Sequence, residues 1–197
     1  MQSQTFVFFG IAGSGKGTQI QLLIDLLKSK DNKEIIHAYT GNEYRKIVET
    51  HSQTADLVRK VLNEGGLQPD FLTNSVFMNL LINTISEDNH IITDGYPRSV
   101  IQSEFFEKAM DFYGRKNIHI VNIQVSKEEA LKRMLLRART DDNPKAIENR
   151  CNEYFNKVLP AMEYFRIKSN YIIHDINGHQ TIEEVSKDII KSLNFEN

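Results

Sequence analysis

The hydrophobic pattern of the chain alternates between short apolar runs and longer stretches with helical spacing. Five runs rich in apolar and β-branched residues predict strands. These runs occupy residues 5–9, 34–38, 90–93, 118–125 and 171–175. The stretch after the first run predicts a helix, because its apolar side chains recur three and four positions apart. Its apolar positions are Ile20, Leu23, Ile24 and Leu27.

This alternation of strands and helices predicts an α/β fold, with a five-stranded parallel sheet covered by helices on both faces. Three further helix starts carry capping residues: a capping box at residues 126–129 (Ser-Lys-Glu-Glu), Asn-Pro at 143–144, and a second box at 181–184 (Thr-Ile-Glu-Glu). The first start precedes the apolar positions Leu131, Met134 and Leu135, and the second precedes Ile147, Cys151, Tyr154 and Val158. Ligands of parallel sheets bind beyond the carboxyl ends of the strands.

The composition is that of an ordinary globular domain. The chain has 197 residues, 40% of them hydrophobic and 25% charged, which suits one domain. Because the net charge is −2, we expect neither nucleic acid nor a membrane as a partner. The apolar run at residues 6–9 is too short for a signal peptide or a membrane span, so we expect a cytoplasmic protein. A single cysteine, Cys151, excludes an internal disulfide and a four-cysteine zinc site, and we expect it to be buried and unreactive.

A glycine-rich segment between the first predicted strand and helix carries the clearest chemistry. Residues 10–18 are Gly-Ile-Ala-Gly-Ser-Gly-Lys-Gly-Thr, called here the phosphate loop. Glycines let successive N–H groups turn toward an anion, and the helix start adds its positive end beside the charge of Lys16. A glycine-rich turn with a solvated lysine is the alternative, which the flanking strand and helix disfavour. Gly17 stands where GTPases and motor proteins need a hydroxyl for Mg²⁺, which disfavours those two classes.

Further segments in a fixed order carry polar residues suited to nucleotides. They are Thr-Gly-Asn-Glu-Tyr-Arg at 40–45, Gly-Leu-Gln-Pro-Asp at 66–70, Asp-Gly-Tyr-Pro-Arg at 94–98 with Gln102, arginines before Asp-Asp-Asn at 141–143, and Asn-Gly at 177–178. Together with Gly-Lys-Gly-Thr at 15–18, this series resembles the adenylate kinase family of nucleoside monophosphate kinases over nearly the whole chain. The resemblance implies a P-loop fold with a helical insertion for the monophosphate. It implies ATP and AMP as substrates with Mg²⁺, and ADP in the reverse direction.

The resemblance also implies a role for each matching residue. ATP binding is implied for Gly13, Ser14, Gly15, Lys16, Gly17, Thr18, Arg133, Arg137 and Gly178. AMP binding is implied for Thr40, Arg45, Gly66, Leu67, Gln68, Gly95, Tyr96, Arg98, Gln102, Arg139 and Arg150. Catalysis is implied for Lys16, Asp94, Arg98, Arg137, Arg139 and Arg150. Asp94 is expected to orient water molecules on Mg²⁺ without ligating the ion, and no structural zinc is expected.

The arginines fit this chemistry on physical grounds. Transfer of a phosphoryl group between two nucleotides brings polyanions together, and the planar guanidinium binds phosphate oxygens in pairs. Six of the nine arginines lie in the motifs, although each one alone could be a solvated surface charge. The acceptor oxygen is already anionic near neutral pH, so no histidine base is needed. We expect the six histidines at the surface or at the edge of the core.

The chain departs from the family at two places. Asn42 replaces an aspartate, and because both residues cap helices we expect little effect. Only three residues separate Arg137 from Asp141, where the family has a lid. The expected organisation is therefore a core at 1–39, 90–136 and 143–197, a monophosphate-binding segment at 40–73 and a vestigial lid at 137–142. We expect the protein to be a monomer in which Arg139 reaches the phosphates, with poorer exclusion of water from the site. Self-association that covers the site is the alternative.

The acceptor nucleotide is predicted from Thr40 and Gln102. Kinases of UMP and CMP tend to carry Ala and Asn at these motif positions, so AMP is expected. The alternatives are another nucleoside monophosphate kinase, a nucleotide-binding regulator that has lost turnover, and a kinase acting on an alcohol. The last would need a base near the acceptor and leaves Gln102 unexplained. ATP and GTP both remain open as the donor.

Overall fold

A five-stranded parallel sheet forms the centre of the computed structural model, which describes residues 2–137, except for the side chain of Arg137, and residues 143–195. The strands are β1 (Thr5–Phe9), β2 (Ile35–Tyr39), β3 (His90–Asp94), β4 (Ile118–Gln124) and β5 (Tyr171–Asn177). They pair in parallel in the order β2-β3-β1-β4-β5. The predicted sheet is confirmed, and the strand ends differ from the sequence prediction by no more than two residues.

Helices cover the sheet and form the segments between strands. Within the described residues they are α1 (Lys16–Lys30), α2 (Thr40–Val48), α3 (Gln53–Glu64), α4 (Asp70–Leu81), α5 (Val100–Phe112), α6 (Lys127–Arg137), α7 (Pro144–Glu153), α8 (Leu159–Arg166) and α9 (Ile182–Ser192). A single π-helical turn, Tyr154–Val158, joins α7 to α8. No helix of this described part is long and apolar enough to cross a membrane.

Successive side chains of β1 supply the two halves of the core. Phe6 and Phe8 pack against α1 and α9 on one face of the sheet. Val7 and Phe9 pack against α4, α5 and α8 on the other. Because side chains alternate along a strand, a strand with four successive apolar residues belongs in a sheet covered on both faces. The expected covering of both faces is therefore confirmed, and all four apolar positions expected for α1 are buried.

Two of the three predicted helix starts are capped as expected. The Asn143 side chain accepts a hydrogen bond from the Ala146 amide, and Thr181 forms a complete capping box with Glu184. Ser126 forms only half of its predicted box. Its hydroxyl accepts from the Glu129 amide, whereas its own N–H donates to His179 Nε2 at 2.8 Å.

Several other expectations need correction. Leu135 is 62% exposed, because on α6 the buried side is taken by its neighbour Met134. Asn42 lies in the first turn of α2, whose N-cap residue is Tyr39, so Asn42 is not a cap. Two histidines are buried in the sheet: His90 is fully buried and His174 is 8% exposed. The expectation of surface or core-edge positions was therefore wrong for these two.

Residues 40–73 project from the sheet as α2, α3 and the start of α4. Tyr44 and Val58 of this segment form a small apolar cluster with Val76 of α4. Cys151 is a free, buried thiol in a separate cluster between α6 and α7, and burial raises its pKa, as expected of an unreactive thiol. The division of the chain into core, monophosphate-binding segment and vestigial lid stays a prediction.

Candidate active site

The phosphate loop joins the carboxyl end of β1 to the start of α1. Its backbone turns at Ser14, whose N–H donates to the Ile11 carbonyl at 3.0 Å. Gly13 has φ +87°, and a Cβ there would lie 2.6 Å from the Ala130 carbonyl oxygen. Only glycine fits a position with a left-handed backbone and so close a neighbour. The first residue of α1 is Lys16, so the positive end of that helix points into the loop.

The ammonium group of Lys16 lies against the backbone of the loop. It donates to the Gly10 carbonyl at 2.5 Å and to the Ile11 carbonyl at 3.0 Å. These contacts keep the charge at the opening of the loop, within the cleft described next. The flexible stem of lysine allows the ammonium to exchange such carbonyl partners for phosphate oxygens.

A cleft of about 680 Å³ opens beyond the carboxyl ends of β1, β2 and β3. It is bounded by the phosphate loop, the segment 40–73 and the helices that follow β4. Most residues proposed from the sequence line it. They are Gly13, Gly15, Lys16, Gly17, Thr18, Thr40, Arg45, Gly66, Leu67, Gln68, Asp94, Gly95, Arg98, Gln102, Arg133 and Arg150. Ser14, Tyr96 and Gly178 are not among the residues that line the cleft.

Asp94 is the last residue of β3, next to the phosphate loop in the sheet. In the strand register it pairs with Phe8 of β1 and with Tyr39 of β2. Its side chain is 8% exposed and contributes to the cleft wall. A carboxylate with this placement offers hard oxygen donors within the same space as the loop that would hold phosphates.

Arg98 and Gln102 are held together beside Asp94. The Gln102 Oε1 accepts from the Arg98 amide at 2.8 Å, and its Nε2 donates to Asp70 Oδ1 at 2.7 Å. The Arg98 guanidinium donates through Nε to the Gly95 carbonyl at 2.9 Å. Both side chains therefore enter the cleft from positions fixed by contacts with neighbouring residues.

Two predicted residues of the segment 40–73 bond to protein groups at the cleft wall. The Thr40 hydroxyl donates to the Gly95 carbonyl at 3.1 Å and connects the start of α2 to the end of β3. The Gln68 Nε2 donates to the Val58 carbonyl at 3.1 Å, which fixes the turn before α4 against α3. These bonds set the shape of the wall.

Tyr96 lies in the core, whereas the sequence predicts it among the AMP-binding residues. It is 1% exposed, and its ring stacks on Phe77 with centroids 4.1 Å apart. Its hydroxyl donates to Asn74 at 2.8 Å, and burial raises its pKa far above the ordinary value. The side chain belongs to the core beneath the cleft, so Tyr96 supports the wall and does not form part of its surface.

Comparison with known proteins bears on this geometry. The family model described as adenylate kinase matches residues 8–170. The chain is 33% identical to a protein named adenylate kinase from Porphyromonas gingivalis, over 91% of this chain and 90% of that protein. It is 32% identical to one of the same name from Leptospira biflexa, over 95% of this chain and 98% of the other. The chain belongs to the adenylate kinase family. Its members are nucleoside monophosphate kinases, and the chain is one of these enzymes.

A third relative shows that length varies within the adenylate kinase family. The adenylate kinase from Dehalococcoides mccartyi is 30% identical over 217 aligned positions, which cover 95% of this chain and 96% of that protein. Because 217 exceeds the 197 residues of this chain, that adenylate kinase contains inserted residues that this chain lacks. The alignment with the Porphyromonas protein spans 184 positions.

The helices after β4 contribute arginines to this adenylate kinase cleft. Arg133 donates to Glu129 Oε1 at 2.7 Å and, through Nη2, to the Gly178 carbonyl at 3.0 Å. Arg133 and Gly178, both expected to bind ATP, are therefore in direct contact. Arg150 enters from α7 and lines the cleft. Arg139 and the side chain of Arg137 lie outside the described residues.

Sequence reasoning missed several residues of this adenylate kinase site. Tyr39 lies in the cleft, where its hydroxyl accepts from Arg45 Nη1 at 3.2 Å, with the guanidinium 5.7 Å from the ring centroid. His37 stacks on Tyr39 and also lines the cleft. Both precede the motif at 40–45 on β2. Because side chains alternate between the two faces of a strand, residues 37 and 39 lie on the same face, and this could have indicated them. Asp70 lies in a predicted motif, but the sequence predicts no role for it.

Among the described residues, no group of three or more His, Cys, Asp or Glu could hold a metal ion.

Proposed function

We propose that this enzyme transfers the γ-phosphoryl group of Mg-ATP to AMP and forms two molecules of ADP, reversibly. One observation carries the proposal. The phosphate loop and the side chains of Arg45, Arg98 and Gln102 line one continuous cleft of about 680 Å³. A cleft with a phosphate site at one end and a second cationic site at the other suits two nucleotides held end to end.

The donor is assigned to the phosphate loop. The N-terminus of α1 and the Lys16 ammonium both direct positive charge into the loop, which suits the β- and γ-phosphates of ATP. Arg133, bonded to the Gly178 carbonyl, would present its guanidinium plane to the adenine at the far side. ATP is proposed as the donor, as in the adenylate kinase family to which the chain belongs.

The acceptor is assigned to the wall formed by α2 and β3. Arg45 and Arg98 would bind the phosphate of AMP, while Gln102 contacts the base. An oxygen of that phosphate forms a bond to the γ-phosphorus as the bond from the γ-phosphorus to the bridging oxygen breaks, and ADP leaves. The attacking oxygen is already anionic near neutral pH, so the protein contributes position and positive charge and needs no general base.

Magnesium enters this proposal through Asp94. The family uses Mg²⁺ with ATP, and the donor present fits it, because a carboxylate at the end of β3 is a hard oxygen group facing the phosphate loop. The ion supplies positive charge that neutralises phosphate oxygens. Asp94 is proposed to act through water molecules on the ion.

Arg137 and Arg139 are proposed to complete the positive charge around the transferred group from the short segment 137–142, in a monomeric cytoplasmic enzyme. A short cover would exclude water less completely than a full lid. Free phosphate released alongside ADP measures that leakage directly.

The test is an acceptor panel of AMP, dAMP, GMP, UMP and CMP with Mg-ATP, with ADP and free phosphate measured separately. We expect AMP to be the best acceptor. Lys16→Met should lower kcat by at least about a hundredfold, because the loop loses its mobile charge. Lys28→Met, an exposed change at the other end of α1, should leave activity unchanged.

The outcomes of this panel separate the alternatives. Phosphorylation of UMP well above AMP would assign a pyrimidine kinase and contradict the role of Gln102. Binding of ATP and AMP without any ADP formation would assign a regulator that has lost turnover.

A further inference from the structure

The hydrogen bonds of Gln102 fix which way its amide group faces. A primary amide can turn by half a rotation and exchange its oxygen and nitrogen, so its orientation depends on its neighbours. Here the partner of Oε1 is the Arg98 backbone N–H, which can only donate. The partner of Nε2 is the Asp70 carboxylate, which when ionised can only accept. After half a rotation, the amide nitrogen would face the Arg98 N–H and the amide oxygen would face the Asp70 carboxylate, so neither hydrogen bond could form.

Asp70 itself is held in place for this contact. It is the first residue of α4, and the Ser99 hydroxyl donates to the same Oδ1 at 2.7 Å. Ser99 in turn caps α5, because its hydroxyl oxygen accepts a hydrogen bond from the backbone N–H of Gln102. The carboxylate is therefore fixed from both helices, and Gln102, which is 1% exposed, has little room to turn.

The fixed amide has one hydrogen-bonding group of each kind left. An amide has two N–H donors and two acceptor sites on oxygen, and Asp70 and Arg98 use one of each. The remaining N–H and the remaining oxygen site are available to a base in the cleft that Gln102 lines. Adenine complements them, because its N1 accepts and its 6-amino group donates. A 6-oxopurine reverses both groups on the same edge.

We propose that Asp70 is a specificity-determining residue, which orients Gln102 so that the acceptor site takes 6-aminopurine monophosphates and rejects 6-oxopurine monophosphates. This inference rests on the proposed function, since it concerns the acceptor base of that reaction. Asp70 acts through Gln102 and is a positioning residue. If Gln102 could turn freely, it would pair with either kind of base and discriminate poorly between them.

The first test needs no variant and compares AMP, purine riboside 5′-monophosphate and IMP as acceptors with Mg-ATP. Purine riboside monophosphate keeps the N1 acceptor and lacks a 6-substituent, so it loses one hydrogen bond and should be about tenfold poorer than AMP in kcat/KM. IMP should be poorer again by about a hundredfold, because both of its edge groups oppose the fixed amide. A freely turning amide predicts the reverse order, with IMP above purine riboside monophosphate.

The second test is Asp70→Asn, which keeps the shape and can donate to a turned Gln102. The ratio of kcat/KM for purine riboside monophosphate over IMP should fall by about tenfold or more. A change that only weakened the fold would lower all three acceptors in proportion and leave that ratio unchanged. Asp56→Asn, at an exposed position of α3 and paired with Arg59, removes the same charge away from the cleft and should leave the ratio at the wild-type value.

The results separate this inference from the proposed function. No phosphorylation of AMP by the wild-type enzyme would contradict the proposed function itself. Phosphorylation of AMP with IMP equal to or above purine riboside monophosphate would overturn the fixed amide and leave the proposed function standing. An unchanged ratio in folded Asp70→Asn would overturn the role of Asp70, and if that variant fails to fold, the order of the three acceptors in the wild-type enzyme decides whether the amide is fixed.

Discussion

At the scale of single residues, Tyr39 contacts Arg45 on the side of the cleft proposed for the acceptor. The Tyr39 ring lies so close to Gly41 that a Cβ there would be 2.7 Å from Tyr39 Cε2. Arg45 donates to the Tyr39 hydroxyl and, at 3.3 Å, to the Gly41 carbonyl. Glycine at position 41 thus makes room for a tyrosine that orients an exposed arginine. An arginine oriented before binding loses less side-chain entropy when it meets a phosphate.

Tyr39→Phe tests this orientation, because it removes the hydroxyl and keeps the ring against Gly41. We expect KM for AMP to rise about three- to tenfold with kcat little changed, which corresponds to the loss of one hydrogen bond to a partly solvated charge. Steady-state kinetics with AMP as the varied substrate measure it. Tyr113→Phe, at the end of α5 away from the cleft, is the matched control and should leave KM unchanged. A fall in kcat with KM unchanged would show that the hydroxyl acts elsewhere in the reaction.

At the scale of elements, the sequence predicted what depends on local pattern. All five strands, the buried face of α1 and the caps at Asn143 and Thr181 follow from apolar spacing and from side chains that reach the next turn. The partners of Ser126 and Tyr96 could not be predicted in this way, because they come from distant parts of the chain. His179 takes the Ser126 N–H from the loop after β5, and the core beneath the cleft takes the Tyr96 ring. Motifs identified most of the cleft residues, but Asp70 acquires its contacts with Ser99 and Gln102 only when α4 and α5 pack.

The capping box of α9 provides a prediction at this scale. Thr181→Ala removes the side chain that accepts from the Glu184 amide and should lower the free energy of unfolding by about 1 kcal/mol. The kinetic constants should not change, because Thr181 is not among the residues that line the cleft. Urea unfolding measures the loss. Thr54→Ala, at the exposed second residue of α3, makes the same substitution at a position that is not the N-cap and should cause little loss. Equal losses in both variants would contradict the assignment of the cap.

At the scale of the whole molecule, a hydrogen-bond network that includes three histidines extends across the sheet. Asp31 contacts His90 Nε2 at 3.3 Å, and the Gln4 backbone N–H donates to His90 Nδ1 at 3.1 Å. The Gln4 side-chain oxygen accepts from His119 Nε2 at 3.1 Å, and His119 Nδ1 lies 2.9 Å from His174 Nε2. His119 therefore carries its proton on Nε2 and accepts from His174 through Nδ1. A second proton on His119 would occupy Nδ1, which could then no longer accept from His174.

This network predicts how stability depends on pH. Burial, with a smaller effect from His174, lowers the pKa of His119 to about 4, and burial also lowers the pKa of His90 and His174. The unfolded chain takes up these protons below its ordinary histidine pKa of about 6.5, whereas the folded protein does not. Stability is therefore unaffected above about pH 6.5 and falls as the pH drops from there toward about 4. Carboxylates protonate mainly below this range, so a loss between about pH 6.5 and 5 belongs to the histidines.

His119→Gln isolates the central member of the network, because glutamine can hydrogen-bond there and does not titrate. Urea unfolding of the wild-type protein should show a free energy of unfolding lower by at least about 2 kcal/mol at about pH 5 than at about pH 7, since His119 alone contributes about that much and His90 and His174 add to the loss. The variant should lose less over the same interval, whatever its stability at neutral pH, since the difference between the two pH values cancels any packing defect. His51→Gln, which changes an exposed histidine, should lose as much as the wild-type protein. The same loss in His119→Gln as in the wild-type protein would mean that His119 is protonated in the folded state, and the neutral network across the sheet would be wrong.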